Sequence, residues 1–227
     1  MMGTLRGTDP LSTDWSIVVL LLVVGYLAWT NLNAPRKWRL LWETVERVRI
    51  SRRSMREDIN LNDRSLIGLW IMAGVIMALF LYQVGVYFGA LRPRWDHFAE
   101  LALLLMVLAA GQVVVQRLTG WLFKGDGGLQ EYTYNLVLGQ VVTGLALLPV
   151  SVLVVGWSPW RQVLVIVGLA IILLVHLVRW VRALVIGRGA GLPTGHIFLY
   201  LCATEILPLA ILIRTLQRSA PPASQLL

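Results

Sequence analysis

The chain has 227 residues, of which 57% are hydrophobic and 14% charged, with a formal net charge of +8. A soluble domain carries roughly 25% charged residues; here the charges sit between long apolar runs, which excludes ordinary packing in water and points to lipid as the solvent. The 20 Lys and Arg against 12 Asp and Glu read as positive loops beside anionic lipid. They do not read as a nucleic-acid surface, because no basic stretch is interleaved with a soluble fold.

The first apolar run predicts a helix from about Trp15 to Trp29. Ser12 or Asp14 can cap its start, Pro35 prevents its continuation, and Trp15 and Trp29 stand where interfacial anchors belong. Only Arg6 precedes it, Asp9 and Asp14 occupy what would be the positive region of a signal peptide, and no small-x-small site follows. It is expected to be a retained first span, within an N-terminal unit 1–34.

A basic segment, 35–64, follows. Trp38, Leu41, Val45 and Val48 are spaced three, four and three apart, which puts them on one helical face, flanked by Arg36, Lys37, Arg39, Arg47 and Arg49. This predicts an amphipathic helix on the inner leaflet; the plainer alternative is a cytoplasmic extension of the first helix. Glu43, Glu46, Glu57 and Asp58 offset much of its charge, so no lipid specificity is read from it.

Five more helices are expected in 65–216, from about Ser65 to Phe88, His97 to Leu122, Tyr132 to Val155, Trp160 to Val185 and His196 to Thr215. Each run reaches the roughly 17–25 residues that cross hydrocarbon. Arg92-Pro93-Arg94, Gly125 to Gly128, Ser158-Pro159 and the glycine-rich stretch Gly187 to Gly195 separate them. Ser158 is expected to cap the fifth helix with Pro159 at its first position. Gly85 and Gly89 form a Gly-x-x-x-Gly pair at the end of the second, a spacing that permits close helix approach. The tail 217–227, with two prolines, is expected to be disordered. The fold class is therefore all-α: a polytopic bundle of about six transmembrane helices plus a cytoplasmic amphipathic helix between the first two. Of the 20 Lys and Arg, 14 fall on the side of the basic segment. That side is expected to be cytoplasmic, in a bacterial inner membrane, with both termini outside the cytoplasm.

Polar residues within the runs are the candidate site. Glu205 lies near the middle of the sixth helix, and Pro208 leaves the Thr204 carbonyl without its donor. The fifth helix supplies His176, the third Gln112 and Gln116 one turn apart, and the fourth Asn135 and Gln140. In the expected orientation all lie in the cytoplasmic half, whereas the first two helices offer almost nothing there. One reading is a polar cavity among helices three to six with Glu205 and His176 as a titratable pair; the other is interhelical hydrogen bonding that holds the bundle together. Arg179 and Arg182 read as snorkelling anchors at the end of the fifth helix. Haem ligation by His176 and His196 is disfavoured by depth, about 6 Å against about 13 Å from the helix centres. Gly187 to Gly191 follows a helix and lacks the Lys-Ser/Thr ending of a phosphate loop. The single cysteine, Cys202, has no zinc or redox spacing. No metal, cofactor or catalytic motif is expected.

The stretch Tyr200-Leu201-Cys202-Ala203-Thr204-Glu205-Ile206-Leu207-Pro208-Leu209 resembles the C-terminal signature of a family of small polytopic membrane proteins from Bacteroidota, classed as domain of unknown function 4271. Leu138-Gly139 through Leu148-Pro149 is similar in kind, and the resemblance extends over helices two to six. It implies an inner-membrane location and no established activity, and supplies no catalytic residues. The resulting expectation is a non-enzymatic accessory or assembly subunit of an envelope complex, with the lipid bilayer and other membrane subunits as partners and no nucleic acid. The alternatives are a small proton-coupled transporter using Glu205 and His176, and an intramembrane enzyme or redox subunit.

Overall fold

A computed structural model describes residues 11–33, 64–122, 129–189, 210, 211 and 214. Among them are five long helices: α1 (Asp14–Asn33), α2 (Arg64–Tyr87), α3 (Trp95–Leu122), α4 (Leu129–Gly156) and α5 (Arg161–Gly189), with a 3-10 turn at Ser158–Trp160 before the last. All five are long and apolar enough to cross a membrane. The shortest, α1, has 20 residues, about 30 Å at 1.5 Å per residue, which matches the hydrocarbon thickness. No strand occurs among the described residues. Of the sixth predicted helix only residues 210, 211 and 214 are among them, all helical; the amphipathic segment with Arg36, Lys37, Arg39, Arg47 and Arg49 lies outside them, as does the tail.

The centre of the bundle is the parallel pair α2 and α4, which pack against each other more extensively than any other helices. Leu69, Ala73, Ile76 and Phe80 of α2 repeat at four, three and four residues and meet Val137, Val141, Leu147 and Val154 of α4 and Val165 of α5. In lipid, burying apolar surface gains little over leaving it exposed, so close approach and hydrogen bonds must hold helices together. Gly144 supplies that approach, because a Cβ there would lie 2.6 Å from both Cα and Cβ of Ala73. The α3 and α5 helices turn large apolar side chains outward, among them Leu103, Val107, Ile166, Leu173, Leu174 and Val181. Patches of that extent would drive association in water and are ordinary in hydrocarbon.

At the other contact, α1 and α3 meet α2 through Leu20, Leu79, Tyr82, Phe98 and Leu101. Trp15 stands inside this contact, with its ring centroid 5.2 Å from Tyr82 and 5.1 Å from Phe98; it is a packed aromatic. Trp29 is exposed, as an anchor should be.

Local chemistry sets the ends. Backbone N–H groups of Ser16 and Ile17 donate to the Thr13 carbonyl, so Thr13, one residue from either candidate, occupies the start of α1. That helix passes Trp29 because Thr30 and Asn33 donate to the carbonyls four residues back, at 2.9 Å each. Gly89 ends α2 in the left-handed region, φ 71°. Ala90 N–H reaches the Gly85 carbonyl at 2.8 Å and Gly89 N–H the Val86 carbonyl at 3.1 Å, which is a Schellman cap. The Gly85/Gly89 pair therefore closes the turn into α3. At α4's end, Arg161 Nε donates to the Val154 carbonyl, 3.1 Å. Trp157, in the place expected of Ser158, is the cap of the turn before α5, without a side-chain hydrogen bond, and Pro159 lies in its first positions.

Candidate functional site

Six contacts fix the register of the polar residues. Trp70 Nε1 donates to Gln140 Oε1 at 2.7 Å, and Gln83 Nε2 donates to the Ser151 carbonyl at 3.2 Å, both between α2 and α4. Gly144 abuts Ala73 between the same two helices, and Gly168 of α5 abuts the ring of Phe80. A Cβ on Gly74 would meet Met106 Sδ of α3 at 2.5 Å, and one on Gly139 would meet Cδ of Arg179 at 3.6 Å. So Met106, Gln140 and Arg179 lie near one level, and Gln112, Gln116, Thr133 and Arg182 lie further toward the α3–α4 connection.

The expected residues take several roles. Gln140 is buried and its oxygen is used by α2, a helix the sequence left out of the polar group. His176 is half-buried, with Nδ1 2.9 Å from the Ile172 carbonyl on its own helix. A carbonyl only accepts, so Nδ1 carries the proton and Nε2 is the basic nitrogen. Thr143 Oγ1 likewise donates within its helix, to the Gly139 carbonyl at 2.8 Å. Gln112 and Gln116 share a face as expected, but only Gln116 is fully buried, at 1% exposure. Neither atom of its amide has a hydrogen-bond partner. Asn135 lies in α4, its side chain outside the described positions, and Glu205, Thr204 and Pro208 lie outside the described residues altogether.

Three residues missed by the sequence reading belong to this interior. Trp70 is the partner of Gln140, and Gln83 and Ser151 are buried deep between α2 and α4. Arg179 and Arg182 were read as snorkelling anchors. The stem of Arg179 lies over Gly139, and Arg182 is 9% exposed. Inward-facing arginine is costly in a membrane and is held only where polar groups surround it.

What this interior can do chemically is bond helices to one another and hold polar groups away from lipid. Among the described residues no group of three or more His, Cys, Asp or Glu is arranged to hold a metal ion. Neither a search of curated proteins nor one of solved structures finds a match to the chain. The sequence model described as Domain of unknown function (DUF4271) matches residues 16–216. With five membrane-length helices among its described residues, this is a multi-pass membrane protein, and the chain belongs to that family.

Proposed function

We propose that the chain is a non-enzymatic accessory or assembly subunit of a cell-envelope membrane complex in a bacterial inner membrane. The observation that carries this reading is the use made of its inward polar groups. Gln140 is tied to Trp70 and Gln83 to the Ser151 backbone, both between α2 and α4. These are bonds that build a bundle. The outward apolar faces of α3 and α5 are available to lipid or to a neighbouring subunit. The experiment is purification of the tagged chain from its native membranes in mild detergent, with every co-eluting protein quantified. A stoichiometric partner supports the proposal, and a clean homomer contradicts it.

A second reading, a small proton-coupled transporter, draws support from His176, whose Nδ1 contact makes Nε2 the proton-accepting nitrogen, and from the buried amide of Gln116. On this reading Glu205→Gln abolishes activity in cells at normal protein level; unchanged activity removes it. The proposed orientation puts both termini outside the cytoplasm, and a reporter after Leu227 that works only in the cytoplasm would overturn it.

A further inference from the structure

Four large aromatic side chains stand out from the bundle at one end. Phe88 just past α2, Trp95 at the first position of α3, and Trp157 and Trp160 in the turn between α4 and α5 are between 54% and 65% exposed. They share an end because Trp70 bonds Gln140 and Gln83 bonds Ser151, so α2 and α4 run the same way. Charge and apolar surface divide at their level. Arg94 and Asp96, on either side of Trp95, form an exposed ion pair at 3.0 Å. On the bundle side, Leu103, Leu153, Val163 and Ile166 are exposed. Tryptophan concentrates where hydrocarbon gives way to headgroups, because its ring is apolar and its N–H needs a polar partner.

Crossing about 30 Å of hydrocarbon takes about 20 residues at 1.5 Å each. Counted from the aromatic level, that distance ends at Gly68 on α2, Val115 on α3, Val137 on α4 and Trp180 on α5. The packing agrees with the count, since Gly139 of α4 abuts Arg179 of α5 and both fall just inside this second level. The charge pattern agrees as well. No Asp, Glu, Lys or Arg lies in 68–87, 101–116, 137–157 or 162–178, whereas Arg64, Arg117 and Arg182 follow within four residues of the second level. Glu100, nearer the first level, is exposed. Helical side chains tilt toward their own N-terminus, which carries its carboxylate back toward Trp95.

We infer that the headgroup boundary of one leaflet runs through Phe88, Trp95, Trp157 and Trp160, and that of the other through Gly68, Val115, Val137 and Trp180. The partner at both levels is the phospholipid headgroup layer. The α3, α4 and α5 helices then project past the second boundary, α4 by about 12 Å between Leu129 and Val137. The apolar spans fit this, because they begin at Leu136 although α4 begins at Leu129, and end at Arg182 although α5 ends at Gly189. Arg182, turned inward, has headgroup phosphate and water at its own level, and Arg179 lies about one turn deeper.

Nitroxide depth measurement on the full chain in phospholipid bilayers tests this. Cys202→Ala removes the native thiol. Single labels at Val163→Cys, Ala170→Cys, Leu177→Cys and Leu184→Cys stand seven residues apart on one exposed face of α5. Collision with oxygen, set against a water-soluble nickel chelate, reads depth. The expected profile has position 170 deepest, positions 163 and 177 alike and about 10 Å shallower, and position 184 in the headgroup layer. Position 184 as deep as 163, or position 177 deepest, would put Arg182 in hydrocarbon and overturn the inference. If an α5 variant does not insert, Val107→Cys, Val114→Cys and Leu118→Cys on the exposed face of α3 carry the same test. Depth should fall in that order, with position 118 in the headgroup layer; position 118 as deep as 107 overturns it.

Discussion

The bond between Trp70 and Gln140 gives the sharpest energetic expectation. Its length is 2.7 Å, and Gln140 is 8% exposed, so water cannot easily replace either partner. Interhelical hydrogen bonds in membranes average about 0.6 kcal/mol and reach about 1.7 kcal/mol, because the unfolded chain also finds partners. The short distance and deep burial place this one in the upper part of that range, at about 1 kcal/mol, or roughly fivefold in the unfolding equilibrium. Single replacements overstate the bond. Trp70→Phe also loses packing, and Gln140→Leu also removes a buried amide. The coupling energy from Trp70→Phe, Gln140→Leu and the double variant isolates the pair. Reversible unfolding in mixed micelles, followed by far-ultraviolet circular dichroism, reads it without relying on tryptophan fluorescence. A coupling indistinguishable from zero, with all four proteins folded, would refute the argument that this polar pair holds α2 to α4.

Three further expectations concern the scaffold. Gly144→Leu should destabilise the bundle by about 1–3 kcal/mol, since its Cβ would start 2.6 Å from Ala73 and force the central helices apart; a thermal unfolding scan in detergent measures it, and an unchanged midpoint would contradict the packing described. Gly89→Ala should cost about 1 kcal/mol, because φ 71° penalises a side chain even though nothing crowds the site. Chemical unfolding measures that, and no loss would mean that the turn is not held there. Trp15→Ala should loosen α1, whose contact with α2 is limited and leans on rings worth about 0.5–1.5 kcal/mol per pair. Hydrogen exchange should then rise in α1 and stay unchanged in α4.

The spans were legible because lipid demands long apolar runs, and each described helix begins within three residues of its expected start. The ends were less so. Thr30 and Asn33 look like loop residues, yet by bonding back to their own helix they extend α1 past Trp29. Gly85 and Gly89 match a helix-contact spacing, but the backbone uses them as a cap. What the sequence withheld was which face each helix turns inward. When every face is apolar, periodicity carries little information, and small residues become the guide. Gly144 marks where α4 meets α2. The polar set was therefore half legible. Gln140 and Gln116, singled out in the sequence, are buried, but Trp70, Gln83 and Ser151 could be placed only once the α2/α4 register was known.

The measurement that bears most directly on the proposed role is native mass spectrometry of the chain released from its own membranes. The chain alone weighs 25.4 kDa. A subunit should appear bound in fixed ratio to at least one different polypeptide, and that ratio should persist in Glu205→Gln. A spectrum containing only 25.4 kDa or its multiples, under conditions that preserve other envelope complexes, would contradict the account.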